Sequence, residues 1–123
     1  MKNSAKLLPK KNRSVEKPVD IKLEKKRKLV SCKKIIRFQA DRNYTMIYLL
    51  NGKSFMSSRN LKFYEIILSG TGFLRVHQSH LINPEHIKSY KKGKYVDVLC
   101  LIDKSEIPVA FRRRTPVKKS LLF

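Results

Sequence analysis

The chain has 123 residues and a formal net charge of +20, from 29 Lys and Arg against nine Asp and Glu, so a single domain is expected. With 41% hydrophobic residues it can build a real core, which excludes disorder throughout. No apolar run reaches the about 7–15 residues of a signal peptide or the about 18 of a membrane span, and a soluble cytoplasmic protein is expected. The basic excess points to a polyanionic partner, nucleic acid first and an anionic membrane surface second.

The first 34 residues hold 13 Lys and Arg against Glu16, Asp20 and Glu24, half of the net charge on about a quarter of the chain. With Pro9, Pro18 and few apolar residues, Met1 to Lys28 reads as a flexible basic tail, either a solubilising extension or a phosphate-contacting arm. The folded domain is expected over residues 29–123.

From Leu29 onward the pattern is that of short strands. Ile35 to Ala40 mixes β-branched and aromatic residues. Tyr44 to Leu50 alternates, with Thr45, Ile47 and Leu49 on one face and Tyr44, Met46 and Tyr48 on the other. Asn51-Gly52 predicts a type I′ hairpin turn, with Lys53 to Ser57 as the returning strand. A helix follows, capped by Ser58 or Asn60, with Leu61, Tyr64, Ile67 and Leu68 as its apolar stripe and Gly70 past its end. Phe73 to Val76 reads as a strand. Asn83-Pro84-Glu85 fits an N-cap with proline at the first helical position. Ile87 to Tyr90 and Tyr95 to Ile102 are strands joined by Lys91-Lys92-Gly93-Lys94. In Glu106 to Ala110, Pro108 predicts an edge strand. Arg112-Arg113-Arg114, a proline and a short basic tail from Val117 to Phe123 close the chain. Short strands around one helix predict a mainly β fold.

Polar and basic residues concentrate at three loops or strand ends: Asp41-Arg42-Asn43-Tyr44, Arg75-Val76-His77-Gln78-Ser79-His80, and Arg112-Arg113-Arg114. Arg can pair bidentately with guanine, Gln and Asn with adenine, and Lys, Ser and Thr can hold phosphates. Each cluster also has a plainer reading. Asp41 to Asn43 fits an ordinary turn, His77 or His80 a satisfied strand end, and the arginine run a solvated face.

Taken together, Ile36 to Leu122 resembles a LytTR domain, with motifs in that family's order. Ile35 to Thr45 is similar to its opening strand and Asn-Tyr-Thr turn, Leu49 to Lys53 to its hairpin, and Ser58 to Leu68 to its helix. Phe73-Leu74-Arg75-Val76-His77-Gln78-Ser79 with Asn83 and Ile87 resembles the family's most diagnostic stretch, and Ile107 to Ala110 its closing strand.

The resemblance implies an elongated, mainly β fold with one or two short helices, whose loops and strand ends enter successive major grooves. It further implies a bacterial transcriptional regulator that binds double-stranded DNA sequence-specifically, on a direct repeat that two monomers can fill by meeting only on DNA, with the oligomeric state in solution left open. Carried over by position, the base contacts are Asn43 or Tyr44, Gln78 and Arg112. Arg42, Arg75, His77, Ser79, Arg113, Arg114 and Lys118 fall to backbone contact or positioning, and Asn83 to a structural role. The family's usual serine before the terminal arginine is replaced here by Ala110-Phe111, which leaves Arg112 and Arg113 as alternatives one residue apart. Many relatives carry a phospho-receiver domain, for which this chain has no room.

Catalysis is not expected. The four glycines never cluster into a phosphate-cradling loop. His77, His80 and His86 with Cys32 or Cys100 match no zinc spacing, and the two cysteines are read as free thiols. No G-x-S-x-G elbow exists, and Asp41, Glu65, Glu85, Asp97, Asp103 and Glu106 form no carboxylate pair. No metal or cofactor is expected. The alternative function is a small RNA-binding or ribosome-associated protein, for which Tyr44, Tyr48 and Tyr95 are the only stacking platform. Cross-strand packing accounts for those rings without RNA. A membrane-surface role fails because the stripe on the Leu61–Leu68 helix is needed for the core.

Overall fold

A computed structural model describes residues 5–7, 18–23 and 25–121. In chain order the strands are β1 (Ala5–Leu7), β2 (Pro18–Lys22), β3 (Arg27–Ser31), β4 (Ile35–Asp41), β5 (Tyr44–Leu49) and β6 (Ser54–Ser57). Helix α1 (Leu61–Ile67) follows, then β7 (Leu74–His77), β8 (His80–Ile82), β9 (Ile87–Lys91), β10 (Asp97–Leu101), β11 (Glu106–Val109) and helix α2 (Arg114–Ser120). Single 3-10 turns at Cys32–Lys34, Pro84–His86 and Phe111–Arg113 link neighbouring elements. The fold is mainly β with two short helices.

The strands form a five-stranded antiparallel sheet ordered β6-β5-β4-β8-β7, a four-stranded sheet ordered β1-β9-β10-β11, and the β2–β3 hairpin. The five-stranded sheet buries residues on both faces. A register shift in the β4–β5 pairing between Ile35 and Arg37 sends Ile35 and Phe38 into one core and Ile36 into the other. The first core gathers the β2–β3 hairpin and α1 over Phe38, Ile47 and Leu81, with Tyr64 stacked on Phe38 at 5.0 Å between ring centroids. The second joins Val76 and Ile82 to Tyr90, Leu99, Ile107 and Val109 of the four-stranded sheet and to Val117 and Leu121. Each fully buried large side chain contributes about 1.5–3 kcal/mol.

Several local expectations hold for identifiable reasons. Asn60, not Ser58, caps α1, its Oδ1 accepting from Phe63 N at 2.9 Å. Asn83 caps the 3-10 turn that Pro84 opens. Pro108 lies on β11, at the sheet edge, where a missing N–H costs no ladder bond.

Others are corrected. The span 1–28 is not a tail throughout: Val19 and Ile21 are buried, and β2 pairs with β3 from Pro18↔Ser31 to Lys22↔Arg27. Two inward apolar residues at a spacing of two suffice once β3 supplies a partner and α1 a surface. The expectation for Met1 to Ser4 and Leu8 to Lys17 lies outside the described residues.

Nor is the segment from Val117 a tail, since α2 buries Val117 and Leu121, one turn apart on one face. Pro116 stands in the first turn, where a backbone N–H has no helical partner to lose. Leu122 and Phe123 lie outside the described residues. The Asn51-Gly52 turn is longer than a type I′ turn: Gly52 alone takes positive φ (+85°), and Leu49 N donates to Lys53 O at 3.0 Å across a three-residue loop. Tyr95 and Val96 precede β10 rather than belong to it.

Candidate nucleic-acid interface

The sheet order brings separated stretches of sequence to one edge of the molecule. β4 ends at Asp41 opposite Tyr44, so Arg42-Asn43 is a two-residue loop at that end of the five-stranded sheet. β8 runs antiparallel to β4 with His80 opposite Gln39, and β7 returns with His77 opposite His80. Gln78-Ser79 is therefore the loop next to Arg42-Asn43, and Ala40 N donates to Ser79 O at 2.9 Å to tie the two together. Beyond the outer strand β7, Ala110 N donates to Val76 O at 2.9 Å, which sets the Phe111–Arg113 turn beside the end of β7. On the other flank β6 ends with Ser57 opposite Thr45, so Ser58-Arg59-Asn60 emerges at the same end. The row thus runs Ser58–Asn60, Arg42-Asn43, Gln78-Ser79, Phe111–Arg113.

At the tips of the row, Asn43, Gln78 and Arg112 are exposed, and among the described residues their side chains hold no hydrogen bond. Arg42 is exposed too and carries a φ of 59°, a left-handed conformation that costs a residue with a Cβ about 1–2 kcal/mol. Tyr44 is different: it opens β5 and shares a sheet face with Met46 and Tyr48, 49% exposed, so it flanks the loop instead of capping it. Arg113 turns inward, Nη1 reaching Arg75 O at 3.3 Å. Arg114 and Lys118 are half-buried and each lies 3.9 Å from the buried Asp97 carboxylate. Of the terminal arginines only Arg112 is exposed.

A sequence-family model for the LytTr DNA-binding domain matches residues 25–122. The chain belongs to the LytTr family. Two curated relatives are the heme-containing CO-sensing transcriptional regulators RcoM 2 and RcoM 1 of Paraburkholderia xenovorans (strain LB400). They are 33% and 32% identical over alignments of 96 residues that cover 76% of this chain. The chain spans about a third (35%) of the length of each. Among solved structures, a LytTr DNA-binding domain from Bacillus cereus superposes with a TM-score of 0.74 at 21% identity, covering 86% of this chain and 97% of that one.

Within this LytTr domain the second loop is braced from below. Arg75 donates from Nη1 to Glu65 Oε1 at 2.6 Å, from Nε to His77 O at 2.9 Å and from Nη2 to Gln78 O at 2.6 Å. Its guanidinium is thus spent inside the protein, on the two carbonyls that fix the turn under Gln78. Ser79 N donates to His77 Nδ1 at 3.0 Å, which leaves Nε2 as the ring's donor. His80 stands beside His77, ring centroids 5.4 Å apart. Burial first, then the charges of His77 and Arg37, push the His80 pKa down to about 4, so its ring is neutral near pH 7. Arg37 hydrogen-bonds Gln39 Oε1 and stacks over the Tyr48 ring at 4.0 Å. Among the described residues no cluster of His, Cys, Asp and Glu could hold a metal ion, and no helix is long and apolar enough to cross a membrane.

Two features escape the sequence reading. Arg59 shares a shallow depression with Asn43, Ser58, Asn60 and Phe63, its guanidinium 4.6 Å over the Phe63 ring and its buried Nε without a hydrogen-bond partner among the described residues. In sequence, Ser58-Arg59-Asn60 signals only a helix start; the pairing of β6 with β5 is what brings it beside Asn43. The second is Asp97, an isolated acid in sequence that becomes a buried, four-partnered carboxylate once β9, β10 and α2 meet.

Proposed function

We propose that this LytTr domain reads double-stranded DNA sequence-specifically, as the recognition part of a bacterial transcriptional regulator acting in the cytoplasm without catalysis. The observation that carries the reading is the row of exposed polar tips at one sheet end, in a chain of net charge +20. Asn43, Gln78 and Arg112 are the base contacts, suited to adenine, adenine and guanine edges in the major groove. Tyr44 supports the first loop. Arg42 and Arg114 with Lys118 supply phosphate charge, as do His77 through Nε2 and Ser79. Arg75 and Arg113 position the second and third tips. Two copies occupy a direct repeat and meet on DNA.

Selection of bound sequences from a random duplex library tests this. The expected result is one recurring short motif, present twice in the same orientation, whose duplex outcompetes structured RNA. Recovery of no motif, or RNA as the better competitor, contradicts it. Affinity for the selected site should fall with salt at a slope of about −5 to −9 in log K against log salt, as for 6–10 neutralised phosphates.

A further inference from the structure

Asp97 opens β10 with its side chain 2% exposed, deep enough that an unpaired carboxylate would be costly. Four groups meet it. Tyr90 donates its hydroxyl to Oδ2 at 2.5 Å, and Gly93 N donates to Oδ1 at 3.2 Å. From α2, Arg114 Nη1 stands 3.9 Å from Oδ1 and Lys118 Nζ 3.9 Å from Oδ2. Burial pushes the carboxyl pKa up, but the Tyr90 and Gly93 hydrogen bonds and the charges of Lys118 and Arg114 more than offset this, leaving it below the usual range. The Gly93 contact depends on a tight loop: a Cβ at residue 93 would lie 1.9 Å from Val96 O.

The same arginine reaches further. Arg114 lies 4.2 Å over the ring of Phe111, the residue before Arg112. Lys118 sits 5.6 Å over the Tyr90 ring, and Val117 between them is buried. A contiguous path therefore leads from the Asp97 carboxylate through Arg114 and Phe111 to the exposed Arg112. Without Asp97, α2 keeps its apolar anchors Val117 and Leu121 but loses the group that orients its two cations.

We infer that Asp97 is a positioning residue for the third reading element, setting the direction of Arg112 through Arg114 and Phe111. It also restrains Arg114 and Lys118, so that phosphates engage them only in the register Arg112 dictates. This rests on the assignment of Arg112 as a base contact.

The test is Asp97→Asn, measured on the selected duplex and on random duplex, alone and combined with Arg112→Ala and with Gln78→Ala. Specific affinity should fall on the order of tenfold, the scale of one lost bidentate base pairing. Random-duplex affinity should hold or rise, because two cations are released. The loss should vanish on an Arg112→Ala background and remain undiminished on a Gln78→Ala background. A merely destabilised domain would lose both kinds of binding together, and that result, or additivity with Arg112→Ala, overturns the inference. Tyr90→Phe removes a single hydroxyl from the same carboxylate, and should repeat the pattern at smaller size. If Asp97→Asn does not fold, the pattern of Tyr90→Phe decides. If Arg112→Ala itself leaves specific affinity unchanged, the base-contact assignment has failed, and the role of Asp97 in DNA reading falls with it.

Discussion

Replacing Arg75 with methionine separates a strut from a phosphate contact. The substitution keeps the apolar stem and removes three hydrogen bonds, to Glu65 and to the carbonyls of His77 and Gln78. Net, such bonds contribute about 1 kcal/mol each, somewhat more from a charged donor. The Glu65 pair is discounted because the Glu65 side chain is 34% exposed. The two carbonyl bonds then dominate, and a stability loss of about 2 kcal/mol is expected, short of unfolding the domain. The freed turn can reorient, so Gln78 loses its aim, and affinity for the selected duplex should drop about tenfold while random duplex binds nearly as before. Fluorescence anisotropy across a salt series gives the decisive quantity. A strut leaves the slope of log K against log salt unchanged, whereas a phosphate contact removes about 0.9 from it. A slope reduced by that amount, with the preference for the selected site intact, would refute the assignment of Arg75 to positioning.

Arg42→Gly should raise stability by about 0.5 kcal/mol, since relief of the left-handed φ exceeds the added chain entropy, while weakening binding to any duplex by loss of a cation. Lys104→Gly, at the other positive φ (72°) in the β10–β11 turn, should give the same shift in denaturant midpoint with no change in DNA binding. Asn83→Ala should cost about 2–4 kcal/mol in denaturant unfolding, because the buried amide bonds the carbonyls of Cys32 and Ile35 and caps Glu85 N. For His80 the folded pKa of about 4 lies below the ordinary 6.5, so the unfolded chain binds the extra proton first. Stability should be full above pH 6.5 and decline as the pH falls toward about 4, and His80→Gln should flatten that decline in pH-dependent thermal unfolding.

What the sequence discloses and conceals follows from how local each signal is. β4, β5, α1 and the Asn83-Pro84 turn announce themselves through alternation, an apolar stripe and caps, all within a few residues. The three polar loops are legible because hydrogen-bonding residues stand at strand ends, and the sheet order then sets them side by side. β2 is hidden because Val19 and Ile21 are only two inward residues among charges, and become a strand through pairing with β3 and cover from α1. α2 is hidden because Pro116 looks like a terminator, although Val117 and Leu121 already stood four apart. Arg75 looks like one more exposed cation until Glu65, ten residues earlier, is packed beside it. Asp97 carries no local sign, since its partners come from β9, the loop after it, and α2.

Backbone amide shifts of the folded domain, followed while the selected duplex is added, test whether one end of the five-stranded sheet reads the DNA. The largest changes should fall on residues 42–44, 58–60, 77–79 and 110–114, with residues 50–53 and 102–105 nearly still. Changes centred on those latter turns instead, or spread evenly over the surface, would contradict it.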